Sequence, residues 1–125
     1  MIEPHDLGKV GEELAVEHLI GEGYQILERN WRLGHKEIDI IALKDDTLAI
    51  IEVKTRKSND YGDPDISVGD YKQQMLIWAA DAYVRYRNLD VEVRFDIISI
   101  ILNETEKSIE HIEDAFIVTP QSIRG

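Results

Sequence analysis

Two aliphatic stretches frame this chain of 125 residues. Residues 36–42 and 47–55 are rich in isoleucine and valine, which fit a pleated, half-buried surface, and Lys44-Asp45-Asp46-Thr47 between them has the polarity of a turn. The pattern predicts two antiparallel strands in a tight hairpin. Tyr24 to Arg32 predicts a strand before them, with Leu33-Gly34-His35 leading into the second, so that strands one to three form a meander. Upstream, Leu7, Val10, Leu14, Ala15, Val16, Leu19 and Ile20 recur at helical spacing, with Asp6 as the N-cap and Gly21 or Gly23 as the stop. After Thr55 the polar stretch 56–65, with Gly62 and Pro64, predicts a surface loop. A second helix is predicted from Val68 to about Arg87, capped by Ser67 with Asp70 three residues on. Its inner stripe is Val68, Met75, Leu76, Ala79, Ala82 and Tyr83. Residues 91–102 read as a fourth strand and 109–118 as a short fifth.

The hairpin carries chemistry. Pairing symmetric about Asp45-Asp46 sets Leu43 opposite Leu48, Ile41 opposite Ile50, Asp39 opposite Glu52 and Glu37 opposite Lys54. Opposed side chains have Cβ atoms roughly 4.5–5.5 Å apart, and alternation puts Lys54 on the face of Glu52, so the three heads converge. Like charges directly opposed on a sheet are destabilising and call for compensation. A divalent cation supplies it: Mg²⁺ at about 2.0–2.1 Å from each carboxylate, with waters and a substrate phosphate completing an octahedron. The ordinary alternative is a charge cluster at a strand end, in which the acids pair with Lys54 and other cations and Glu37 bridges to Lys54. Both readings stand on these residues alone.

Further residues stand out by their positions. Glu12 falls between Leu19 and Val16 on the apolar side of helix one, where a carboxylate is expensive unless paired or metal-bound. It is a candidate third acid, or a flank residue that reaches solvent. Lys72 begins the inner stripe of helix two and is either directed at the site or a snorkelling lysine of the first turn. Arg94 and Asp96, alternate residues of strand four, form a structural pair or the rim of the site. His18 also faces inward and is assigned no role.

The length fits one domain over 1–125, large enough to bury a core, and the absence of cysteine removes disulfides and thiolate metal sites. There is no apolar run of membrane-spanning length, and Met1 to Asp6 lacks the basic and apolar regions of a signal peptide; a cytoplasmic protein with no membrane partner is expected. The net charge of −11 argues against non-specific coating of nucleic acid, which basic residues drive. The distribution softens that objection. Glu104, Glu106, Glu110, Glu113 and Asp114 crowd the C-terminal third, whereas Arg29, Arg32, His35, Lys36, Lys54, Arg56, Lys57 and Lys72 fall in the segment with the candidate site. That basic set is either a phosphate-binding surface or a solvated face.

Taken together, Gly11-Glu12, Ala15, Gly23-Tyr24, Asn30, Glu37-Ile38-Asp39, Glu52-Val53-Lys54-Thr55-Arg56, the Val68 to Lys72 spacing, Val93-Arg94-Phe95-Asp96, His111-Ile112-Glu113 and Ala115-Phe116 carry a resemblance. The sequence resembles the YraN-like family of uncharacterised bacterial proteins, described as endonuclease-like and placed in the PD-(D/E)XK nuclease superfamily. The resemblance covers most of the chain. It implies an α/β fold with a restriction-endonuclease-like α-β-β-β-α-β core, a mixed sheet flanked by helices. Glu12, Asp39, Glu52 and Lys54 would take the catalytic positions, with Lys72 as a helical contributor. One departure is Lys36, where the family usually carries glycine; it adds a cation beside the site.

The function expected is Mg²⁺- or Mn²⁺-dependent hydrolysis of DNA phosphodiester bonds, in repair or recombination. Asp39, Glu52, the Val53 carbonyl and Glu12 would hold the metal, Lys54 would stabilise the transition state, and Lys72, Arg56 and Lys36 would bind substrate. Two rivals are carried: a non-catalytic nucleic-acid or protein binding module on the same fold, and a Holliday-junction resolvase, which requires a homodimer with two sites.

Overall fold

The hairpin forms in the register that the turn chemistry predicts. In the computed structural model, which describes residues 4–58 and 68–116, Leu43 faces Leu48, Ile41 faces Ile50 and Ile40 faces Ile51. Asp45 takes φ 55°, the left-handed conformation that a primed hairpin turn asks of its first central residue. The element order is α1 (Pro4–Gly21), β1 (Gln25–Leu33), β2 (Lys36–Lys44), β3 (Thr47–Arg56), α2 (Asp70–Arg87), β4 (Glu92–Leu102) and β5 (Lys107–Ile112). The strands make one sheet in the order β1-β2-β3-β4-β5, antiparallel except for β3 and β4. A parallel pair needs a crossover, and the chain supplies α2 between them. This is the expected mixed α/β architecture, consistent with a restriction-endonuclease-like core.

Two apolar clusters sandwich the sheet. Ile38, Ile41, Leu48, Ile50, Phe95 and Ile97 pack with Leu76, Ile77, Ala80 and Tyr83 of α2, while Ile40, Ala42, Ala49, Ile51, Ile98 and Ile100 pack with Ala15, Val16 and Leu19 of α1. Burial on both faces explains why β3 and β4 read as near-continuous aliphatic runs.

Helix ends follow local chemistry. Proline 4 starts α1, so Asp6 lies in the first turn instead of capping it, where its charge complements the helix dipole. Its C-terminus closes with Tyr24 N–H donating to Leu19 O (2.9 Å) and Gly23 N–H to Ile20 O (3.0 Å), with Gly23 at φ 95°. The α2 helix begins two residues later than predicted, behind Gly69 in extended conformation and without a side-chain cap; Ser67 lies outside the described residues. Its far end is pinned to β1, since Tyr83 Oη donates to Glu28 (3.1 Å), Arg87 donates to both, and the Trp31 and Tyr83 rings meet edge-on. The fifth strand starts earlier and ends sooner than predicted. At Asp114, φ 51° turns the chain, and Ala115 N–H donates to Phe95 O, so pairing stops at Ile112; residues 117 and 118 lie outside the described residues.

Where α1 crosses β3, Gly11 meets Thr55 so closely that an added Cβ would overlap Thr55 Oγ1 and lie 2.8 Å from its Cβ. On an open helix face Gly→Ala stabilises by about 1 kcal/mol, but here overpacking should reverse the sign and cost about 1–3 kcal/mol. Urea denaturation of Gly11→Ala, Thr55→Ala and the double variant checks this: the second change should recover part of the loss.

Candidate active site

The site lies where two strands lose their alternation. Ile38 and Ile40, two residues apart, pack in clusters on opposite faces of the sheet, although strict alternation would place them on the same one. The break falls at Asp39. Asn30 stands across from it on β1, between the pairs Arg29↔Ile40 and Trp31↔Ile38, and takes φ 52°, a left-handed conformation that asparagine tolerates. Both strands therefore change phase at the same level.

This break corrects the expected pairing of Asp39 with Glu52. The β2–β3 ladder stops at Ile40↔Ile51, and Asp39 instead turns its carboxylate to β3, where Oδ2 accepts the Val53 N–H at 2.9 Å. The two carboxyls still meet: Asp39 and Glu52 are hydrogen-bonded side chain to side chain. Glu37, expected opposite Lys54, lies across β1 and pairs with Arg32 (3.7 Å).

Two carboxylates in contact cannot both be charged cheaply. Burial, then the hydrogen bond that protonated Asp39 donates to Glu52 and the charge of Glu52, push Asp39 up to about 8, against the opposing effects of the Val53 N–H and Lys72. Glu52 is only 8% exposed, and its Oε2 lies 2.5 Å from Lys72 Nζ, which reaches down from the first turn of α2. Lysine 72 is thus directed at the acids. Val53 packs with the α1-side cluster and Thr55 touches Gly11 of α1, so Glu52, half-buried Lys54 and half-buried Arg56 share the α2 face of β3. In a strand the N–H and C=O of one residue point the same way, so the Val53 carbonyl projects toward β2 beside Asp39. Two carboxylates and a carbonyl form an all-oxygen set, the donor chemistry of Mg²⁺ and Mn²⁺.

Glu12 does not complete this set as a third acid. Its Oε1 accepts from Asn30 Nδ2 at 2.7 Å and lies 3.9 Å from Arg29, and no group of three acids or histidines able to hold a metal forms among the described residues. Glu12 reaches the level of Asp39 only through Asn30. That asparagine was not among the candidate site residues; the signal for it was an Asn in mid-strand, where a left-handed residue disrupts pairing. Lys36 opens β2 with its Nζ 5.5 Å from the centroid of the Trp78 ring on α2.

Arg94 and Asp96 resolve as a structural pair. Asp96, 2% exposed, takes both Arg94 Nε (2.9 Å) and a terminal nitrogen (2.8 Å), His111 Nε2 (2.8 Å) and the Asp114 N–H (3.2 Å), while Arg94 also donates to Tyr24 Oη. Burial opposes the Asp96 charge, but the His111 and Arg94 hydrogen bonds hold its carboxyl below the usual carboxylate range. This knot ties β4 and β5 to the turn after α1, on the sheet face opposite Glu52. No described helix is long and apolar enough to cross a membrane.

The model of the uncharacterised protein family UPF0102 matches residues 11–100, a span that holds Glu12, Asp39, Glu52, Lys54 and Lys72. UPF0102 proteins of Flavobacterium psychrophilum and Flavobacterium johnsoniae are 52% and 50% identical to the chain over 116 and 120 residues. Each alignment covers 93% of this chain and 98% of the relative. The UPF0102 protein of Phocaeicola vulgatus is 47% identical over 116 residues, covering 93% of the chain and 96% of the relative.

The acid pair sets a pH dependence whose sign is defined. Between its ordinary value and about 8, folded Asp39 keeps a proton that the unfolded chain releases, so stability contributed at this residue falls as pH rises through that window and levels off above it. Asp39→Asn, which retains an acceptor for Val53, should remove the slope and stabilise the metal-free protein at pH 8 by about 1 kcal/mol or more. Calorimetric Tm at pH 5 and pH 8 reads it. Asp96→Ala should do the opposite and cost about 3–5 kcal/mol, because it takes from Arg94 and His111 the buried carboxylate they share and leaves Arg94, among the described residues, only Tyr24 and the half-exposed Glu113.

Proposed function

The chain belongs to the uncharacterised protein family UPF0102, and on that premise we propose that it is a Mg²⁺- or Mn²⁺-dependent endonuclease acting on DNA. The observation that carries the reading is the Asp39–Glu52 carboxyl pair, held in contact with Lys72 against it and Lys54 on the same face as Glu52. Two adjacent acids cost stability, expressed in the raised Asp39 pKa, and a cation between them would offset that cost. A cation-binding role accounts for the pair.

Asp39, Glu52 and the Val53 carbonyl would hold the metal, and the donor set fits a hard divalent ion. When bound, that ion would lower the pKa of a coordinated water and offset charge gathering on the phosphate. The remaining work falls to the chain itself. Asp39 is oriented by the Val53 N–H, and Glu52 by Lys72. Lys54 would orient the attacking water and stabilise the pentavalent phosphorus. Lys72, anchored at the first turn of α2, would bind the scissile phosphate, with Arg56 and Lys36 on its flanks. Glu12 would act one residue removed, holding Asn30 against the Asp39 strand.

The test is cleavage of labelled single-stranded, duplex and four-way-junction DNA, with an RNA control, in Mn²⁺ and in Mg²⁺. Lys54→Ala, prepared identically, should fold with unchanged circular dichroism and lose activity by about 10²-fold or more. Activity surviving in that variant would point to a contaminant. Absence of cutting on every form by folded protein would replace the nuclease with a binding module.

Metal binding gives a second check. Mg²⁺ should raise the Tm of the wild type more at pH 8 than at pH 5, because the Asp39 proton must leave, and should leave Asp39→Asn nearly unmoved.

A further inference from the structure

An aromatic stripe runs along α2 away from the acids. Tyr71 and Trp78 stand seven residues apart, two turns on one face, and are 80% and 41% exposed. Gln74 falls between them, three residues after Tyr71 and four before Trp78. Its Nε2 is buried and has no hydrogen-bond partner among the described residues. A buried donor without an acceptor costs stability, so turning the Gln74 amide outward to an acceptor on a ligand would relieve that cost. Lys36 Nζ sits by the Trp78 ring, and Lys72, next to Tyr71, is bonded to Glu52. Trp78 also lines an open groove of about 500 Å³ with Ile77, Val93 and Phe95.

We propose that this stripe binds unpaired nucleotides of the strand entering the site. Trp78 and Tyr71 stack on bases, Gln74 rotates its amide outward to donate to a base or sugar oxygen, and Lys36 neutralises the adjoining phosphate. The inference rests on the nuclease reading for the position of the scissile phosphate, and it extends that reading to a substrate class: single-stranded or frayed DNA. Three considerations favour it. From Tyr71 to Trp78 the helix rises about 10 Å, at roughly 1.5 Å per residue, which matches about three stacked bases. Aromatic stacking is open to any base once it is unpaired, whereas intact duplex keeps its base faces covered. A chain of net charge −11 cannot draw its affinity from wholesale phosphate neutralisation, so stacking beside a few lysines is the source of binding left to it.

The experiment is fluorescence anisotropy with a labelled oligothymidylate of about 20 nucleotides and a blunt duplex of the same length, in chelator so that no cutting intervenes. The wild type should prefer the single strand. Trp78→Leu should weaken that binding roughly tenfold, the size of one lost base–aromatic stack, with duplex binding unmoved, and Trp78→Phe should keep most of it. Gln74→Leu should raise Tm by removing the orphan donor and also lower single-strand affinity; a glutamine of structural importance alone would leave affinity unchanged. Wild-type affinity in both leucine variants, folded by circular dichroism, overturns the proposal, as does failure of the wild type to bind the single strand. Cleavage in Mn²⁺ is scored separately. Trp78-dependent binding without cutting sustains the stripe and removes the nuclease, whereas undiminished cutting of single strands by Trp78→Leu removes the stripe and leaves the nuclease.

Discussion

The Asp39 carboxylate accepting the Val53 N–H is the contact on which the rest of the site depends. It occurs at the point where β2 and β3 stop exchanging backbone hydrogen bonds, and the side chain takes over a donor that the ladder would otherwise satisfy. Because Asp39 is held against β3 in this way, its other partner is Glu52. Proton retention on Asp39, the reach of Lys72 and the oxygen-rich edge beside Val53 follow from that one substitution of side chain for backbone.

The remainder of the fold holds this point from both faces. Below the sheet, α1 approaches β3 to within the space that Gly11 leaves for Thr55, and Glu12 on the same helix fastens Asn30 on the level of Asp39. Above it, α2 is tied at one end by Lys72 to Glu52 and at the other by Tyr83 and Arg87 to Glu28. The helix is thereby laid along the sheet with its aromatic stripe outward and its first turn over the acids. On the α1 side, Arg94, Asp96, His111 and Tyr24 form a buried polar knot that fixes β4 and β5 without touching the acid pair. The two buried acidic centres are thus opposite in character: Asp96 is saturated by cations and donors that hold it toward its charged form, while Asp39 faces another acid that holds it toward its protonated form.

Charge follows the same division. The chain carries −11 overall, yet Lys72 is bonded to Glu52, and Lys54 and Arg56 share its face of β3. Local placement, not the total, governs what can approach a site.

Much was legible in the one-dimensional pattern. Aliphatic runs, the Asp45-Asp46 turn and the glycines after α1 specify the hairpin, its register and the helix stop, because these depend on residues close in the chain and on a strict two-residue or 3.6-residue period. The association of Asp39 with Glu52 followed from that register, and the inward position of Lys72 from its stripe. What only the tertiary structure decided lies where periodicity fails. The change of phase at Asn30 and Asp39 needs two strands to distort together, so it cannot be read from either alone. Hence Asp39 meets Glu52 through its side chain and not as a ladder partner, and Glu37 turns to Arg32. Glu12 was the residue that the helical wheel marked as misplaced, but its partner is Asn30 because that partner sits eighteen residues on in another element. Local sequence sets propensity and spacing; which buried polar groups satisfy one another is settled only when separate elements pack, since each must find its donor or acceptor in the space that remains.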